Sequence, residues 1–198
     1  MARLTDIAIP GEVLERARGG DRGALEDVYR AYSSATYTLI RRLVRRPAVA
    51  EEVLQETFVE VIRHIGGYEG RASLGAWIRA IAVNRALMYL RSPWHRSLEW
   101  FDDGDGAGAD ALPGPAADPS AQAGNQLDLE AALMRLPALA RAIVWLYDVE
   151  GYSHEEIARM LGRTISFSKS QLSRAHSRLR ETLDAPRVGT CASVTTTT

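Results

Sequence analysis

Five basic residues, Arg163, Lys169, Arg174, Arg178 and Arg180, fall within residues 163–180, a stretch that holds no acid. Cations gathered on one helix neutralise phosphates and release counterions, while short polar side chains beside them reach base edges in a major groove. Ser166, Ser168, Ser170 and Gln171 supply such side chains near the start of the stretch. A second set has the opposite sign. Glu52, Glu56 and Glu60, with Gln55 among them, recur at four-residue steps and share one helix face. Alone, such a stripe is most often solvated surface; its other use is to meet a basic partner. The glycine-rich loop GGYEGRAS over 66–73 lacks the preceding strand of a phosphate loop and reads as a connector.

Covalent chemistry finds no constellation. Ser153 and His154 suggest a nucleophile beside a base, but Ser153 and Glu156 have the spacing of a capping box, and adjacent helix residues do not face each other. The four histidines, His64, His95, His154 and His176, are not paired at ligand spacing, and Cys191 is the one cysteine. The expectation is no enzyme activity, no metal and no cofactor.

These residues need helices to hold them. In 198 residues, 46% hydrophobic and 25% charged, there is room for one ordinary domain or two small ones. No apolar run approaches the roughly 18 residues of a membrane helix, and the N-terminus lacks a secretory pattern, so a cytoplasmic protein without membrane insertion is expected. From an N-cap at Asp21, Leu25, Val28, Tyr29, Tyr32, Leu39, Ile40 and Leu43 form one face of a long helix, with Pro47 a stop beyond the basic run Arg41, Arg42, Arg45, Arg46. A second helix over about 49–65 turns Val53, Leu54, Phe58, Val61, Ile62 and Ile65 inward. A third, from Ser73 to about Arg91, turns in Leu74, Trp77, Ile78, Ile81 and Met88. Strand alternation is absent, so the fold class is all-α.

Residues 99–130 carry eight acids and no Lys or Arg, and 99–126 mix Gly, Pro, Ala and Asp without periodicity. That composition buries too little apolar surface to offset ordering entropy, which predicts a flexible acidic linker. The net charge of -1 therefore hides two mildly basic units flanking one acidic strip. Helix resumes near Leu127, with Pro137 at a first turn and Gly151 at a stop. The capping box starts another helix, which ends at Gly162. The next begins near Thr164 or Ser166 and turns Ile165, Leu172, Ala175, Leu179 and Leu183 inward. Two short-linked helices with Gly in the turn match the helix-turn-helix signature.

The whole arrangement resembles the sigma-70 family of bacterial transcription initiation factors, in its small extracytoplasmic-function group. The segment from LEDVYRAYSS to NRALMYLRS is similar to region 2, centred on AEEVLQETF (50–58) and AWIRAIAVN (76–84). The segment from LPALARAIVWLYDVEGYSHEEIARMLGRT to SRLRETL is similar to region 4. The implied domains are a region 2-like helical bundle over 11–96, a flexible acidic linker over 97–126, a region 4-like helix-turn-helix over 127–187 and a disordered tail over 188–198.

The resemblance implies roles for matched residues. Glu52, Gln55, Glu56 and Glu60 would dock onto the clamp coiled coil of RNA polymerase core. Tyr68, Arg71, Ser73, Arg79, Asn84 and Arg85 would open and read the minus-10 element as single strand. Ser166, Lys169, Ser170, Ser173, Arg174 and Arg178 would read the minus-35 element of promoter DNA as duplex. An anti-sigma protein would be a further partner, and the acidic linker would follow the path of nucleic acid through polymerase. The chain departs from the family where Ser166-Phe167-Ser168 replaces a common Gly-Thr-Val, placing a serine at a usually apolar inward position. Two rival readings stay open: an ordinary helix-turn-helix regulator, and a sigma-like decoy that binds an anti-sigma protein and never DNA.

Overall fold

The computed structural model describes residues 4–92 and 129–184. The expected linker and tail lie outside the described residues. Every regular element among the described residues is helical.

The first unit holds α1 (Gly11–Arg18), α2 (Arg22–Leu43), α3 (Pro47–His64) and α4 (Leu74–Arg91). The start of α2 is set by the Asp21 carboxylate, which accepts the Ala24 amide at 2.8 Å. That bond, and then the Arg16 guanidinium, holds the Asp21 carboxyl below its ordinary range. Pro47 stands in the first turn of α3, where its missing N–H has no helical partner to lose, so it opens a helix as well as ending the one before. Ser73 caps α4 by accepting the Ala76 amide. The core is Val28, Tyr32, Leu39, Ile40 and Leu43 of α2, Val53, Phe58 and Val61 of α3, and Ile78, Ala82, Val83, Ala86 and Leu87 of α4.

Several residues expected inward are exposed. Tyr29, Ile62 and Met88 are 44%, 49% and 58% accessible. Each directly follows a buried residue, Val28, Val61 or Leu87, and so lies about 100° further round its helix. Tyr29 still touches the core's margin, its ring edge-on to Phe58 at 4.8 Å.

Two features carried no periodic signal. Helix α1 is short, and ahead of it residues 4–9 run as a strap across the bundle. Leu4 is buried, and the Tyr32 hydroxyl donates to the Ile7 carbonyl at 2.9 Å. The strap lies so close to α4 that a Cβ on Gly75 would stand 1.8 Å from the Leu4 oxygen.

In the second unit, a helical segment over 129–134 precedes α5 (Ala138–Val144), which continues without a break into a π-helical turn, Trp145–Val149. Helices α6 (His154–Leu161) and α7 (Ile165–Asp184) follow. Positive φ at Gly151 (75°) and Gly162 (60°) makes the two turns, a conformation side-chain-bearing residues rarely adopt. Ile143, Leu146, Ile157, Leu161, Leu172, Ala175 and Leu179 form the core of this unit. Ile165 and Leu183, also expected inward, are exposed because they stand in the first and last turns of α7, beyond its neighbours. The two units touch: Arg141 of α5 donates to the Leu43 carbonyl of α2 at 3.2 Å, and Arg91 of α4 donates to the Met160 carbonyl of α6 at 2.9 Å.

The strap yields a test. Gly75→Ala should gain about 1 kcal/mol of helix propensity. It must also expel Leu4, whose burial contributes about 1.5–3 kcal/mol, because backbone cannot move aside as a side-chain tip can. The expected outcome is a small net fall in Tm with early proteolytic cleavage before Gly11, whereas Gly67→Ala, with nothing within 4 Å of its new Cβ, leaves the N-terminus protected. Equal protection in both variants would contradict the strap.

Candidate nucleic-acid interface

Helix α3 is two-sided. Val53, Thr57, Phe58 and Val61 are buried, while Glu52, Gln55 and Glu56 face solvent and Glu60 is half-buried. The acids border a shallow groove between α3 and α4, which Val59 and Arg63 also line. Exposed Val59, Ile62 and Met88 add apolar surface on these helices. The polymerase-binding set expected from sequence is therefore brought together on one surface.

The six residues expected at the minus-10 element fall in three places. Arg71, Ser73 and Asn84 are exposed, although Arg71 pairs with Glu69 at 2.6 Å and Ser73 also serves as the α4 cap. Tyr68 is buried: its hydroxyl donates to the Ala72 carbonyl and its ring lies 5.4 Å from that of Trp77. It anchors the loop from inside. Arg79 and Arg85 are engaged by acids. Arg85 lies in the α3–α4 groove, 2.5 Å from Glu60 and 3.9 Å from Glu56, which places it with the acid face. Arg79 crosses to the second unit, donating to the Glu150 carbonyl at 3.2 Å and lying 3.3 Å from its carboxylate. The Tyr152 ring covers the guanidinium at 4.9 Å, and the buried Arg79 Nε has no hydrogen-bond partner among the described residues.

The helix-turn-helix is well set. The Ser153 hydroxyl accepts the Glu156 amide, and the Glu156 carboxylate accepts the Ser153 amide at 2.8 Å. The Ser153 amide, and then the Ser153 hydroxyl at 2.9 Å, donate to the Glu156 carboxylate and hold its carboxyl below the ordinary value. Thr164 accepts the Phe167 amide at 3.1 Å and settles the start of α7. Ser166, Lys169, Ser173, Arg174 and Arg178 are all exposed along α7, and half-buried Ser170 donates to the Phe167 carbonyl. The set expected to read duplex DNA thus stands on one helix with its cations in solvent.

Sequence periodicity did not mark Trp145, Tyr147, Asp148 or Glu150. The π turn sends them in different directions: Trp145 lies under Arg42 at 5.1 Å, the Tyr147 ring stacks on His154, Asp148 pairs with His176, and Glu150 holds Arg79. The one available signal was WLYDVE, a run too rich in both aromatic and acidic residues for an ordinary helix stripe.

Comparison with known proteins agrees with this architecture. Residues 28–96 match the family model described as Sigma-70 region 2, and residues 126–179 match that described as Sigma-70, region 4. The ECF RNA polymerase sigma factor SigM of Mycobacterium tuberculosis is 31% identical over 172 residues, 87% of this chain and 83% of that protein. The RNA polymerase sigma factor CarQ of Myxococcus xanthus is 34% identical over 170 residues, 86% of this chain and 95% of that protein. Among solved structures, the sigma factor RpoE in complex with the anti-sigma factor NepR from Bartonella quintana superposes with a TM-score of 0.54 at 25% identity, covering 82% of this chain and 98% of that one.

The cap yields a test with a definite sign. Ser153→Ala should cost about 0.5–2 kcal/mol at neutral pH. Because the Glu156 carboxyl is depressed in the folded chain, its contribution is complete above the unfolded value and is lost as pH falls through the folded one. Glu156→Gln should therefore lower Tm relative to the parent at pH 6 and converge with it under more acidic conditions; thermal melts across pH 7 to 3 would refute this by showing a constant offset.

Proposed function

Starting from the fact that this chain belongs to the extracytoplasmic-function group of the RNA polymerase sigma-70 family, we propose how its surfaces divide the work. It is a sigma factor, directing RNA polymerase to promoters at transcription initiation. Such factors are initiation proteins that act by binding, and no covalent step is assigned to this chain. No helix among the described residues is long and apolar enough to cross a membrane, and the proposed place of action is the cytoplasm, on polymerase and DNA.

In this reading Glu52, Gln55, Glu56 and Glu60 dock on the clamp coiled coil of core polymerase. The exposed acids give steering and specificity, while Val59, Ile62 and Met88 supply apolar area that acids alone lack. Arg71, Ser73 and Asn84 meet the separated minus-10 strand. Arg79 joins them only after its contact with Glu150 opens, since its guanidinium is enclosed between the Glu150 carboxylate and the Tyr152 ring, with the side chain 25% exposed. Helix α7 enters the minus-35 major groove with Ser166, Lys169, Ser170, Ser173 and Arg174, and Arg178 follows on the backbone. The observation that carries this division is one chain presenting both an exposed acid face on α3 and an acid-free cationic stretch on α7. An anti-sigma protein is included among the partners because RpoE was solved with one. A plain helix-turn-helix regulator leaves the α3 face unused, and a decoy leaves the α7 cations unused.

Two outcomes test the division. Replacing Glu52 and Glu56 by Arg should abolish co-purification with core polymerase while Tm stays nearly constant, since exposed charges contribute little to folding; full core binding by the folded variant refutes the acid face. In holoenzyme, Arg174→Ala should cost about 1–3 kcal/mol on the preferred minus-35 sequence and little on a scrambled one. Arg178→Ala should weaken both alike and flatten the salt dependence by about one unit. Titration against both DNAs at several salt concentrations separates them, and even losses from Arg174→Ala would remove its base contact.

A further inference from the structure

Ser168 is the departure that the proposed division leaves unused. It sits within the buried face of α7, with Leu172, Ala175 and Leu179, and is itself 0% exposed. With about 100° between successive residues, Ser168, Leu172, Ala175 and Leu179 cluster within roughly 60° of one another. Ser170, Ser173, Arg174 and Ser177 then fall on the far side, about 140–240° from Ser168, with Lys169 and Arg178 flanking that face. The rotation of α7 about its own axis therefore decides which side chains meet DNA.

An all-apolar inward face tolerates small rotations, because dispersion and burial are not directional. A buried hydroxyl does not, because it is satisfied only where a partner stands. The partner is His154 at the start of α6, whose Nδ1 lies 3.0 Å from the Ser168 oxygen. The His154 ring is held in turn by Tyr147, stacked at 4.3 Å with 21° between planes. A second hold lies eight residues along α7, about 12 Å at 1.5 Å per residue: Nε2 of His176 is 2.7 Å from the carboxylate of Asp148. Tyr147 and Asp148 are neighbours in the π turn, so one short segment braces the reading helix at two points.

We propose that His154 is a positioning residue for minus-35 recognition: its bond to buried Ser168, backed by the Tyr147 stack, sets the rotation of α7 and so selects which bases the factor prefers. The proposal rests on α7 being the minus-35 reader. His154 meets no DNA in this reading and acts through Ser168 alone.

The test uses full-length protein with core polymerase and a promoter library randomised at the minus-35 element, reading the preference order together with Tm. His154→Leu strands the Ser168 hydroxyl and should cut discrimination at one or more minus-35 positions by on the order of tenfold, the scale of a single base contact. His154→Asn keeps a polar atom where Nδ1 stood and should retain the parent's preference order. The double variant His154→Leu with Ser168→Val supplies an apolar pair; it should regain Tm yet keep an altered preference order, and it decides the question if His154→Leu fails to fold. A double variant that regains both Tm and the parent's order overturns the proposal, because the pair would then be packing alone. Arg174→Ala runs in parallel. If it alters preference and the folded His154 variants do not, the positioning role is wrong and the reader assignment stands; if neither alters it, α7 is not the reader and both fall.

Discussion

The π-helical turn at Trp145–Val149 is the constraint on which the arrangement depends. Here the backbone closes one residue late, with the Glu150 amide bonding to the Trp145 carbonyl at 3.0 Å, and the wider turn changes the bearing of every side chain that follows. An uninterrupted α-helix would align Trp145 with Val149 and leave Glu150 a further 100° away. As built, Trp145 donates its indole N–H to Glu150 at 3.3 Å, and the two together meet the arginines of the first unit. Tyr147 and Asp148 face the opposite way and hold the two histidines of the helix-turn-helix.

The magnitudes separate what is permanent from what can open. Within each unit the contacts are apolar and buried, and a fully buried Leu or Ile contributes about 1.5–3 kcal/mol. Between the units, arginines meet carbonyls, carboxylates and rings. Arg42–Glu130 is a solvent-exposed ion pair, the kind that contributes at most about 1 kcal/mol and weakens with salt, and Arg91 on the Met160 carbonyl is an exposed charge-assisted hydrogen bond. Arg79–Glu150 is more enclosed, with side chains 25% and 20% exposed, and Arg141 on the Leu43 carbonyl is buried. These polar contacts lie beside an apolar core that itself runs from the first unit into the second, with Leu43 and Val44 of one and Ala138, Ala142 and Ile143 of the other in the same buried cluster.

Element type was legible in the sequence where a helix carries a sustained 3.6-residue stripe or a side-chain cap: Asp21 and the Ser153–Glu156 box cap where their spacing put them, and Ser73, read as the start of a helix, is its cap, whereas α1, α3 and α5 have no side-chain cap. The acid stripe of α3 and the cations of α7 were legible for the same reason, since exposed residues on one helix share a face by period alone. What escaped was every feature that depends on a second element. The strap over Gly75, the bearing of the π turn and the Arg79–Glu150 contact, whose partners stand 71 positions apart, are encoded by no local period. Tyr68 and Arg85 show the same limit: their types suit nucleic acid, but Tyr68 is consumed in anchoring its own loop and Arg85 in neutralising α3.

Arg79 and Arg85 also bear on how a chain of net charge -1 can act on DNA at all. Phosphate binding draws on local fields and released counterions, so segregated charge matters more than the sum. In the arrangement seen here all three arginines assigned to the minus-10 element, Arg71, Arg79 and Arg85, already have carboxylate partners, and the acid face stands beside Arg85. The free factor therefore presents a weakened positive field near the minus-10 surface, while α7 keeps its cations in solvent. Docking of the acid face on a basic coiled coil would change that balance. It would cover Glu56 and Glu60, draw their charge toward the partner, and loosen the hold on Arg85 at the moment polymerase arrives. Under the proposed division Arg85 makes no contact with the melted strand, so its release would act through the local field alone, restoring positive potential beside the residues that do.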